Sequence, residues 1–219
     1  MKLVRFLLLW PLLFRFAAAA EVEVIYEVFS MPMNEASKIR RERLGGEETY
    51  RRVLEMVTKA EARQERMMAV KMLEGGRAVL EEIHELIYPT EYEPLELPSM
   101  VGSSHLMKPP KPFPVPDTAS AYDTRGLGDF LELELLGKEG DFILKIVAAK
   151  VDLVELDVIG RGIGEVTMPR FAIQKFRTEE KVRSGKPALV GTASPPRDLQ
   201  EGEGKRVWLA FVTVTAPDL

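Results

Sequence analysis

Cysteine is absent from the 219 residues. That excludes a disulfide framework, a thiolate metal site and a cysteine nucleophile, so the fold must hold through core burial. Histidine occurs only as His84 and His105, with no His-x-x-x-His spacing for a transition metal. Beyond the first twenty residues no run is long and apolar enough for a transmembrane helix. The formal net charge is −4. An acidic chain without a concentrated basic patch is a poor nucleic-acid binder.

The start of the chain is unlike the rest. Met1-Lys2-Leu3-Val4-Arg5 is basic, Phe6 to Phe14 is apolar, and Ala17 to Ala20 offers small residues for cleavage before Glu21. This is the layout of a secretory signal peptide over residues 1–20. Nine apolar residues before Arg15 fall well short of the ~20 a spanning helix needs. The leader holds Lys2, Arg5 and Arg15 and no acid, so the remainder is three charges more acidic than the whole.

Residues 21–88 read as strand, helices and hairpin. Val22, Val24, Tyr26 and Val28 share one face of a strand that Ser30-Met31-Pro32 ends. A short helix follows over Met33 to Arg43. A second, over Glu47 to Lys59, has Tyr50, Val53, Leu54 and Val57 at i, i+3, i+4 and i+7 and Glu47 and Glu48 in its first turn. Arg66 to Leu73 and Arg77 to Tyr88 flank Glu74-Gly75-Gly76 and are expected as a tight hairpin. The second segment carries helical propensity in Leu80-Glu81-Glu82-Ile83-His84-Glu85-Leu86, yet Val79, Ile83 and Ile87 also fit a strand face.

Residues 89–116 hold eight of the fifteen prolines and read as an extended connection. Residues 117–219 read as β throughout and are expected to pack with 21–88 as one domain. Leu131, Leu133 and Leu135 alternate with Glu132 and Glu134, and Phe142, Leu144 and Ile146 share a face after a glycine turn. Val151 to Ile159 alternates with Asp152, Glu155 and Asp157. Pro169 to Thr215 is the organising stretch, expected as consecutive antiparallel strands separated by Ser184-Gly185-Lys186 and a polar loop. Its last segment is apolar on both faces: Trp208, Ala210, Val212 and Val214 on one, Leu209 and Phe211 on the other. That suits a core strand rather than a wall between lipid and water. The fold class is therefore α+β, mostly antiparallel sheet with one or two N-terminal helices.

Chemistry is sparse. His84 stands among Glu81, Glu82 and Glu85 as an ion-pairing partner rather than a base. Gly160-Arg161-Gly162-Ile163-Gly164 lacks dinucleotide spacing and precedes a strand, so no helix N-terminus waits for a phosphate. Ser184 has no base at a recognisable spacing and belongs to a turn. Asp152, Glu155 and Asp157 suit calcium by type, but in a regular strand Asp152 faces away from the other two. No catalytic residue, cofactor or metal ligand is assigned.

The order of segments resembles the bacterial secretin family, in a shortened form. Val22 to Phe29, then Met68-Ala69-Val70-Lys71-Met72-Leu73-Glu74-Gly75-Gly76-Arg77-Ala78-Val79, is similar to the family's entry strand and its strand–glycine turn–strand. Gly128 to Leu133 with Asp141 to Ile146 resembles its paired strands, Pro169-Arg170-Phe171 through Gly191 its next hairpin, and Val207 to Thr215 its closing strand. The family's periplasmic ring modules do not precede these segments here, and the lip segment is a short polar loop. The resemblance implies an exported, non-enzymatic protein of the periplasm or outer membrane, its partners being copies of itself or secretion or pilus machinery. The alternative is a soluble monomeric β-rich module that keeps the fold without a channel; membrane association separates the two.

Overall fold

The computed structural model describes residues 20–93, 118–138, 141–160, 165–195 and 205–216. The expected leader, most of the proline-rich connection and residues 161–164 of the glycine segment lie outside them.

The described residues form β1 (Glu21–Pro32), α1 (Met33–Glu42), α2 (Gly46–Thr58), β2 (Arg63–Leu73), β3 (Arg77–Glu93), β4 (Thr118–Lys138), β5 (Asp141–Ile159), β6 (Val166–Arg183), β7 (Ala188–Ala193) and β8 (Arg206–Thr215). They make two antiparallel four-stranded sheets, ordered β2-β1-β8-β7 and β3-β4-β5-β6. One core lies between the sheets. Val22, Val24, Tyr26, Val212 and Val214 meet Leu131, Leu133, Leu135, Phe142, Leu144 and Ile146 there. A second core lies on the far side of β1 and β8, where Ile39, Val53 and Met56 of the helices cover Phe29, Leu209 and Phe211. The layers are thus helices, sheet, sheet. β8, like β1 beside it, is buried from both sides, which its two apolar faces match.

Several local expectations shift. The Glu74-Gly75-Gly76 turn is present, with Gly75 at φ +73, a left-handed conformation that glycine takes without strain. But β2 and β3 do not pair with each other; the turn is a corner carrying the chain from one sheet to the other. Likewise β6 does not pair with β7, so the organising stretch divides between the sheets at Ser184-Gly185. In α2 the buried side is Thr49, Val53 and Met56, and Leu54 is exposed. β1 runs through Ser30 and Met31 to Pro32. β3 runs past Tyr88 to Glu93; Pro89 is tolerated because β3 is an edge strand with register shifts there. Asp141 to Ile159 is one continuous strand.

Candidate assembly surface

The inter-sheet core occupies one half of the β3-β4-β5-β6 sheet. Past Leu80, Leu131, Ala148 and Phe176, which stand side by side, the four strands continue as a ribbon with no second sheet above it among the described residues. Residues directly opposite on a ladder share a face, so register sorts the ribbon's side chains.

One face is apolar. It carries Ile83 and Ile87 on β3, Tyr122 on β4, Val151, Leu156 and Val158 on β5, and Ile173 on β6. Ile83, Ile87, Tyr122, Leu156, Val158 and Ile173 are all exposed. Glu85 is the one charge on this face between residues 83 and 89 of β3. The matching lengths of β4 (122–128), β5 (151–158) and β6 (167–173) place none there.

The other face carries most of the ribbon's charge, with Met168 and Ile159 also exposed on it. Glu82, Asp129, Lys150 and Gln174 form one row across it, and Arg125, Asp152, Glu155, Asp157 and Arg170 lie further along. Asp152 pairs with Lys150 at 2.9 Å, while Arg170 holds Glu155 and reaches Asp157 at 3.4 Å. A bulge at Val154 accounts for the gathering. The register passes from Leu153–Phe171 to Glu155–Arg170, so Asp152, Glu155 and Asp157 come to one face, unlike in a regular strand. Each carboxylate has a cation, and the described residues contain no cluster of three or more potential metal ligands.

Where ribbon meets core, Arg66 of β2 lies 2.7 Å from Asp129, and Arg66 and Lys150 stand 5.3 and 5.6 Å from the Trp208 ring. Burial raises the Asp129 pKa, Arg66 and Lys150 oppose that, and Asp152 and Glu82 add to it; the net shift is upward. A cleft of about 470 Å³ opens beside this cluster between β6 and β7, with Phe176, Val190 and Trp208 among its walls.

Among the remaining sequence candidates, Ser184 takes a structural role. The Ser184 hydroxyl accepts from the Ala216 backbone N–H at 2.9 Å, and Gly185 N–H donates to Val214 O at 2.8 Å, tying the turn to β8. His84 is exposed on the charged face, level with Leu127. His105 lies outside the described residues. Residues 161–164 of the glycine-rich segment do likewise, and β6 follows them.

The outer edges of β3 and β6 have no ladder partner among the described residues. Near the ribbon's tip the two edges approach: Tyr92 Oη donates to Thr167 O at 3.0 Å, and Tyr88 and Phe171 meet with ring centroids 5.5 Å apart. No helix among the described residues is long and apolar enough to cross a membrane, which says nothing of strands.

In sequence, no family model and no curated protein matches this chain. Solved structures similar to it include secretins. The InvG secretin-domain β-barrel of the Salmonella SPI-1 injectisome is similar at 9% identity and a TM-score of 0.45, over 92% of this chain and 64% of that one. The V. cholerae type IV competence pilus secretin PilQ matches at 12% identity and 0.41, over 92% and 62%. The type II secretin GspD from enteropathogenic Escherichia coli matches at 11% and 0.42, over 92% and 70%. The chain spans just under two thirds of the first of these. Identities this low describe a likeness and nothing finer.

Proposed function

We propose that this chain is a secretin-like, non-enzymatic component of the cell envelope, exported to the periplasm or outer membrane, where copies join along β3 and β6 into a ring-shaped wall serving protein secretion or pilus assembly. One observation carries the reading: the ribbon has an exposed apolar face and a face that gathers its charges, with edge strands that have no ladder partner among the described residues. A wall between lipid and water requires this alternation. The apolar lengths of β5 and β6 are seven or eight residues, roughly 25 Å at about 3.3 Å per residue. Tilted by roughly 35–45° as barrel strands are, such lengths rise roughly 16–22 Å, somewhat less than the apolar band of roughly 25 Å on outer-membrane barrels. The leader-like start and the order of motifs support the secretin-like reading and the export route. The doubly buried β8 belongs to the supporting core; the wall is built from β3 to β6.

The test is to size the full-length chain from membrane and aqueous fractions. A large particle released only by detergent is expected. A small particle wholly in the aqueous fraction contradicts the reading.

A second reading is favoured by the Tyr92–Thr167 and Tyr88–Phe171 contacts, which bring β3 and β6 of one copy together at the tip. Such a closed ribbon suits a soluble monomeric module with a binding or structural role. The same sizing separates the two.

A further inference from the structure

We propose that copies in this ring meet along a charge-complementary seam, with Glu81 and Glu85 on β3 of one copy against Lys175 and Arg177 on β6 of the next. This rests on the ring reading and adds to it the residues that select the register.

All four side chains are exposed, and none has an ion-pair partner among the described residues. The sheet's own register shows how the edges stand to each other. Glu81, Phe130, Ala149 and Lys175 form one row across the four strands, and Ile83, Gly128, Val151 and Ile173 form the next. Arg77, Glu134, Lys145 and Glu179 form another, alternating in sign from edge to edge. Within one copy Glu81 and Lys175 are held three strand spacings apart, roughly 14 Å, and do not meet. Between adjacent copies the ends of these rows become neighbours. β3 and β6 run in opposite directions, so the joint is antiparallel like every ladder in the sheet.

The charges discriminate among registers. Side chains keep their faces only for even displacements. A level joint sets Glu81 beside Lys175, Ile83 beside Ile173 and Arg77 beside Glu179, with no like charges opposed. Displacing β3 by two toward its N-terminal end sets Glu81 beside Arg177 but also Arg77 beside Lys181, and by four sets Glu85 beside Lys175 but also Glu81 beside Glu179 and Arg77 beside Arg183. Displacement the other way opposes Arg77 to Arg177 or to Lys175. Opposite charges across a pair are favourable and like charges unfavourable, so the level joint, the one register here that opposes no like charges, is the register the seam selects.

The test uses the full-length chain, with assembly followed by sedimentation over a concentration series. Lys175→Glu with Arg177→Glu should raise the concentration for half-assembly by about tenfold, with the defect reduced in 1 M salt. Far-UV circular dichroism and melting temperature should match the parent, since both positions are exposed. Adding Glu81→Lys and Glu85→Lys to the same chain should restore assembly. Unchanged assembly of the double variant, or no recovery in the quadruple variant, overturns the seam while leaving the ring. A parent chain that stays monomeric at every concentration overturns the ring itself, and the seam with it.

Discussion

Arg66 of β2 and Asp129 of β4 form an ion pair that bridges the two sheets, Nη1 to Oδ1 at 2.7 Å, where the packed core gives way to the ribbon. The pair sits largely shielded from solvent, and burial outweighs both nearby cations in setting the Asp129 carboxyl, whose pKa is raised. A raised carboxyl binds its proton more tightly folded than unfolded. Its contribution is fully present below the ordinary carboxylate value and is lost as pH rises through the raised one. Asp129→Asn removes that dependence. The melting temperature of the variant, relative to the parent, should therefore rise with pH across the carboxylate range. A difference constant with pH contradicts the assignment.

Two phenols are expected to titrate late. Burial raises Tyr26, and burial with the hydrogen bond from Tyr50 Oη to Glu27 at 2.7 Å raises Tyr50. The neutral phenol is favoured in the fold, so this stability is present below the ordinary value of 10.0 and fades as pH rises above it. Alkaline absorbance titration of the five tyrosines should show two that ionise only with unfolding. Ionisation of all five together in the folded protein speaks against it.

The two faces of β8 should differ under truncation. Phe211 is fully buried between Phe29 and Tyr50, with ring centroids 5.9 and 5.3 Å away. Phe211→Ala should cost about 3–5 kcal/mol. Trp208 is only half-buried at the cleft, so Trp208→Ala should cost less. Denaturant unfolding of both variants checks the order, and a larger loss at Trp208 reverses the picture of a doubly covered strand.

Gly128 marks the place where β4 passes from core to ribbon. Its φ is +130°, and a Cβ there would lie 1.9 Å from the Glu82 carbonyl oxygen. Gly128→Ala should destabilise by about 1–3 kcal/mol through backbone strain alone. Gly45→Ala, where nothing lies within 4 Å, serves as the mild control in thermal melts.

Much of the architecture was legible in alternation. Leu131, Leu133 and Leu135, or Val22 through Val28, point one way because a pleated strand leaves no other choice, and β8 announced its two-sided burial through Leu209 and Phe211. Pairing was less legible. Gly75-Gly76 and Ser184-Gly185 signal turns, but a turn that closes a hairpin and one that hands the chain to another sheet use the same residues. The surface face hid for a sharper reason. The bulge at Val154 shifts the period by one residue, so Asp152, Glu155 and Asp157 read as divided when the fold gathers them. Ile83, Ile87, Leu156 and Val158 then look like core positions until register shows no layer above them.

The absence of cysteine makes the central claim directly measurable. Single cysteines at Leu156, Val158 and Ile173 on the apolar face, and at Asp152, Asp157 and Arg170 on the charged face, are each reacted with a charged, water-soluble maleimide after reconstitution into lipid vesicles. The account predicts alternation: the apolar-face thiols stay unreactive until detergent is added, while the charged-face thiols label in the intact bilayer. Equal labelling of both sets in vesicles would contradict a lipid-facing wall.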